Sequence, residues 1–105
     1  MELRDKIKEL IKDKLDGYTY KEAKAWFNNP RNHNPQNGSI GGLFYYSDTE
    51  PLAIEYHDEI VKLMNDCGYD KPLSLNDMAW FAFEVLLPEL ENEILEELYK
   101  KEVKK

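Results

Sequence analysis

Residues 76–87 read NDMAWFAFEVLL, a segment with apolar side chains on nearly every helical face. A helix of that kind is central and buried, so the rest of the chain has to supply the elements that wrap it. Ser74 and Asp77 have the spacing of an N-terminal cap for it. Pro88 is expected to kink or restart the helix. Beyond the proline, Leu87, Leu90, Ile94 and Leu98 form one stripe, and Glu89, Glu93 and Glu96 lie opposite. Lys100 and Lys101 suit the negative end of a helix dipole.

The wrapping elements read as helices too. In ELRDKIKELIKDKLDG, Leu3, Ile7, Leu10, Ile11 and Leu15 share a face, and Gly17 sits where a helix-ending glycine belongs. Thr19 and Glu22 then have capping-box spacing for a short helix over 20–28 that buries Ala23, Trp26 and Phe27, with Pro30 as its stop. A polar loop follows, NNPRNHNPQNGSIGG, and runs into Leu43, Phe44 and Tyr46, which read as a plug pinning the loop to the core. Asn37-Gly38 and Gly41-Gly42 are turn dipeptides, so a short β-hairpin is the most strand structure the region allows. A third helix is expected from Ser47, which pairs with Glu50 as a capping box, through Cys67, with Gly68 ending it. Pro51 is placed in its first turn. Leu52, Tyr56, Ile60, Leu63 and Cys67 form its apolar face, which makes Cys67 a core residue. The predicted fold is mainly α, a compact bundle of four to five helices in one domain spanning residues 1–105.

Charge is distributed unevenly along the 105 residues, whose formal net charge is −7. Residues 1–45 carry eight basic and six acidic side chains, whereas residues 48–97 carry fourteen acids against Lys62 and Lys71 alone. Such segregation repels nucleic acid over most of the surface and steers basic partners toward it. No segment approaches the roughly 20 apolar residues that span a bilayer. The first ten residues lack the apolar core of a secretory signal. The lone cysteine excludes an internal disulfide and points to a reducing cytosol. The expected location is therefore cytoplasmic.

Signatures of catalysis are scarce. There is no phosphate-cradling glycine loop followed by Lys-Ser/Thr, no HExxH and no GxSxG, so neither a cofactor nor a catalytic residue is expected. EYHDE at 55–59 could ligate a divalent cation through His57, but a helix points residues 57, 58 and 59 in different directions and no second His lies one turn away. The acidic rows are the stronger signal. Asp48, Glu50, Glu55, Asp58, Glu59 and Asp66 gather on the start and one side of the third helix. Carboxylates one helical turn apart are spaced by about 5.4 Å, the scale of a nucleic-acid backbone, so the row can imitate phosphates for a basic groove.

Several short features add a resemblance: Asn37-Gly38-Ser39, the Tyr46-Ser47 step, Ala53, the Glu59-Ile60 pair and Asn76 opening the next helix. In these the chain resembles a group of small acidic phage-encoded proteins, over about residues 3 to 80, and departs from them in a longer Pro-rich insert at 30–36. The resemblance carries over no functional residue. It implies a phage context, in which small acidic proteins bind and disable host machinery as anti-CRISPR or DNA-mimic inhibitors.

The expectation is thus a non-enzymatic inhibitor or adaptor that engages a basic, nucleic-acid-handling host protein through those six carboxylates. It would not contact nucleic acid or membrane itself. Two alternatives stand beside it. One is a helix-turn-helix DNA-binding regulator formed by residues 2–28, with Lys21, Lys24 and Arg31 as its local cations. The other is a small metal-dependent enzyme around His57.

Overall fold

The computed structural model describes residues 1–30 and 46–103, apart from the side chains of residues 46–48. The polar loop from residue 31 onward, and the expected plug of Leu43, Phe44 and the Tyr46 side chain, lie outside the described residues. The described residues form five helices: α1 (Leu3–Lys14), α2 (Tyr20–Asn28), α3 (Tyr46–Glu55), α4 (His57–Asp66) and α5 (Leu75–Val103). No strand occurs among the described residues. The fold is mainly α, as the apolar periodicities predict. No described helix is long and apolar enough to cross a membrane.

α5 is the axis of the molecule and touches all four other helices. Its 29 residues at about 1.5 Å of rise each account for most of the 47 Å long dimension. Met78, Ala79, Trp80, Ala82, Phe83 and Leu87 are buried, and Leu90 and Ile94 extend the buried stripe. Against them pack Leu3, Ile7, Ile11 and Leu15 from α1 and its end, Ala23, Trp26 and Phe27 from α2, and Leu52, Ala53, Tyr56, Ile60 and Met64 from α3 and α4, in one hydrophobic cluster. The Ser74 hydroxyl caps α5 by accepting from Asp77 N at 3.2 Å. Thr49, buried at the core edge, donates to Asn76 Oδ1 at 2.7 Å and ties α3 to the start of α5.

Capping residues act largely where the sequence puts them. Thr19 and Glu22 form a reciprocal capping box at the start of α2. α4 ends in a Schellman motif: Tyr69 N donates to Met64 O and Gly68 N to Asn65 O, with Gly68 at φ +74°. Tyr69 then folds back onto the core, its ring 5.3 Å from that of Phe81.

Several expectations are corrected. The helix read as continuous from Ser47 to Cys67 is two helices that part at Tyr56, whose φ −108° and ψ 24° rotate the next peptide out of line. The hydrogen bonds Tyr56 N to Leu52 O and Ile60 N to Tyr56 O persist across the joint, so the chain swings without losing its ladder there. The buried stripe keeps Leu52, Tyr56 and Ile60 but continues on Met64, and Leu63 is only partly buried. Cys67 is the α4 C-cap with its side chain exposed rather than in the core.

α3 also begins at Tyr46, so Ser47 lies inside the first turn and Pro51 is the sixth helical residue, beyond the first turn. Pro88 does not restart the helix, because α5 runs through it unbroken. Pro88 is on the exposed side, where the Glu84 carbonyl deprived of its N–H partner can turn to water.

Candidate functional site

Two acidic rows run along the surface, and the structure treats them in opposite ways. The row on α5 is neutralised from within. Glu89, Glu93 and Glu97 recur every fourth residue, and so do Arg4, Lys8 and Lys12 on α1. The two helices run in the same direction, so the equal spacings stay in register. Arg4 Nη2 reaches Glu89 Oε1 at 2.9 Å and also bonds Glu93. Lys8 Nζ bridges Glu93 at 3.3 Å and Glu97 at 2.9 Å, and Lys12 Nζ closes the ladder on Glu97 at 3.1 Å.

The titration shifts follow from this geometry. Hydrogen bonding to Glu97, then to Glu93, raises Lys8 against a smaller opposing effect of burial. The Lys8 bond likewise holds the Glu97 carboxyl below its ordinary value, with Lys12 assisting. For Glu93, partial desolvation pushes upward, but the bonds from Lys8 and Arg4 together outweigh it and the net shift is down. Arg4 shows the mirror case, in which desolvation is overcome by Glu93 and Glu89 and the guanidinium is held more firmly charged. Lys100 pairs with Glu96 at 3.0 Å, one turn back on the same helix. Sequence reasoning matched Lys100 and Lys101 to the helix dipole and missed Arg4, Lys8 and Lys12 as partners of the row. The matching four-residue spacings were the available signal.

The row on α3 and α4 has no such ladder: Lys62, one turn from both Asp58 and Asp66, is interleaved with it but forms no ion pair with either. Glu50, Glu55, Asp58 and Asp66 are exposed, and among the described residues no lysine or arginine pairs with any of them. Asp58 Oδ1 lies 3.3 Å from Nδ1 of its neighbour His57. Asp48 is in the first turn of α3, with its side chain outside the described residues. Ile54 stands 63 % exposed between Glu50 and Glu55 in sequence, an apolar spot within the acidic face.

Glu59 departs from its expected place. Its Oε2 accepts from Leu3 N at 3.0 Å, so it caps α1 from another helix. The residue in the N-cap position, Glu2, makes no side-chain cap, and Glu59 supplies the missing acceptor at the positive end of α1. Glu59 is therefore bound into the fold, and the open row is Glu50, Glu55, Asp58 and Asp66.

Two clefts complete the surface. A shallow one of about 340 Å³ lies beside the start of α1, lined by Glu2, Arg4, Glu59, Lys62 and Asp66 among others. The other, about 380 Å³, opens between the α1–α2 turn and the last turns of α5, with Lys12, Gly17, Tyr18, Ile94 and Lys101 in its wall. Glu102 at its edge accepts from Tyr20 N at 2.7 Å. Neither brings His57 together with the carboxylates proposed for a metal. Among the described residues, no three His, Cys, Asp or Glu side chains form a metal-holding group. On α2, Lys24 lies over its own helix's Tyr20 ring, 5.9 Å from the centroid. Comparison with protein-family models, curated proteins and solved structures finds no match to this chain.

Proposed function

We propose that the protein is a non-enzymatic binding module, of the inhibitor or adaptor kind, that docks the outer face of α3 and α4 onto a basic surface of a nucleic-acid-handling protein. The observation that carries this is the contrast between the two rows. Glu89, Glu93 and Glu97 of α5 are engaged by α1, while Glu50, Glu55, Asp58 and Asp66 are left facing solvent, with the exposed Ile54 one turn from Glu50. Desolvating such a face is favourable only against cations, and a protruding aliphatic side chain gives the contact an anchor that charge alone lacks. Direct binding of nucleic acid is disfavoured by the same charges. An inhibitor that occupies a basic groove in place of a phosphate backbone, of the anti-CRISPR or DNA-mimic type, fits these properties.

The test uses wild-type protein and the variant E50K/E55K/D58K as immobilised baits, at about 0.1 M and about 1 M salt, where the screening length falls from about 10 Å to 3 Å. Wild type should retain basic nucleic-acid-binding proteins at the lower salt and release them to competing duplex DNA. The variant should retain none of them. Identical retention by both baits, or retention of bare duplex DNA by the wild type, would refute the reading. Glu59 is left out of the variant because its reversal would also strip the cap from α1.

A further inference from the structure

α5 presents a second unusual face, on the side turned away from the core. At roughly 100° per residue, the strip opposite Phe83, Leu90 and Ile94 ought to be the most polar part of the helix. It holds instead Val85, Asn92 and Tyr99, which recur every seventh residue, with Pro88 and the half-buried Leu95 interleaved and Val103 at the end; Tyr99 rests one ring edge against Tyr20 of α2, centroids 5.8 Å apart. Val85 is 38 % exposed, Tyr99 58 % and Val103 66 %, so three of the five large hydrophobic residues exposed among the described ones fall on this strip. The alternation of three and four residues is that of a seam for one further helix. Carboxylates border it on both sides, Glu84 and Glu91 along one edge and Glu89 and Glu96 along the other. Arg4 and Lys100 answer the second edge. No cation pairs with Glu84 or Glu91 among the described residues.

We propose that this strip is a separate docking surface whose occupant is a basic amphipathic helix of a partner protein. Its apolar side chains lie along Val85, Pro88 and the open side of Tyr99, and its lysines or arginines meet Glu84 and Glu91. A second copy of this chain is the wrong occupant, since its strip offers Glu84 and Glu91 no free cation: Arg4 and Lys100 on the other edge are already paired with Glu89 and Glu96. Asn92 in the middle of the seam is satisfied by a polar residue opposite and fixes the register of the incoming helix. The surface shares no residue with the α3–α4 face and does not depend on it.

The probe is a labelled synthetic helix of about three heptads, with leucine at the seam positions and lysine at the flanking ones, read by fluorescence anisotropy at low salt. A matched peptide with glutamate flanks is the control. The lysine peptide should bind and the glutamate peptide should not. Glu84→Lys with Glu91→Lys, and separately Val85→Lys with Asn92→Lys, should each weaken binding by about tenfold or more while the helical circular dichroism is unchanged. E50K/E55K/D58K should bind the peptide as wild type does. The proposal is overturned if the lysine peptide does not bind, if both peptides bind equally, or if neither strip variant matters. Loss only in the α3–α4 variant would assign the peptide to that face instead. A concentration-dependent dimer in sedimentation, abolished by the Val85 and Asn92 changes, would give the strip to a second copy.

Discussion

Glu59 shows how one residue can carry the signature of a binding surface and belong to the fold. By sequence it is one of a run of acids on a helix; in space its carboxylate closes on the first N–H of α1 at 3.0 Å. Removing a capping acceptor of this kind costs about 1 kcal/mol, whereas an exposed carboxylate with no partner costs less than about 0.5. Glu59→Ala should therefore lower the unfolding free energy measured in urea by about 1 kcal/mol. Glu55→Ala and Asp58→Ala should leave it within about 0.5 kcal/mol of wild type. Equal effects at all three positions would mean the cap is not formed in solution. The error over Cys67 has a related origin. Its spacing from Ile60 is untouched by the turn at Tyr56, but Cys67 is the C-cap, where α4 ends, and its side chain is exposed. The break at Tyr56 keeps its flanking hydrogen bonds and has no glycine or proline at the joint to announce it.

At the level of elements, the sequence was most informative where local chemistry decides the outcome. The Thr19–Glu22 box, the Ser74 cap, the glycine after α4 and the buried 78–87 segment were all legible, because each depends on residues a turn apart. What was not legible depends on pairing between distant segments: the α1–α5 ladder, the Glu59 cap and the Thr49–Asn76 bond each join residues more than 25 positions apart. The candidate site was legible as a composition, with four of its carboxylates placed on the open face. Its boundary was set by tertiary contacts. Burial also separates aromatic residues that looked alike in sequence. Trp80 and Phe83 are buried, with rings 6.1 Å apart, while Phe81 is half-buried against Tyr69. Phe83→Ala and Trp80→Ala should each cost roughly 3–5 kcal/mol, and Phe81→Ala clearly less, as read from denaturation midpoints at an unchanged slope. A Phe81 effect as large as that of Phe83 would place the core on the wrong side of α5.

Across the whole molecule, the ladder between α1 and α5 gives stability a defined pH dependence. Glu93 and Glu97 are held below their ordinary value of 4.5, so their contribution is complete above that pH. It is lost as pH falls through their lowered folded-state values, where the unfolded chain has already taken up protons that the folded one still refuses. Lys8 is raised above 10.5, so its contribution is complete below that pH and disappears only as pH rises through the raised value. Between these limits the ladder adds no slope. Half-exposed pairs are screened by salt, so the acid limb should be shallower at high ionic strength. Glu93→Gln with Glu97→Gln removes the groups that titrate while keeping their shape. In that variant the loss of stability below about pH 4.5 should be smaller than in wild type, and the two curves should run parallel from about pH 5 to pH 9. The measurement is the unfolding free energy from urea titrations across that range, with wild type and variant in the same buffers. An acid limb of unchanged depth in the variant would show that the ladder does not hold in solution. The α5 row would then be as open to a partner as the row on α3 and α4, and the contrast on which the choice of docking face rests would be gone.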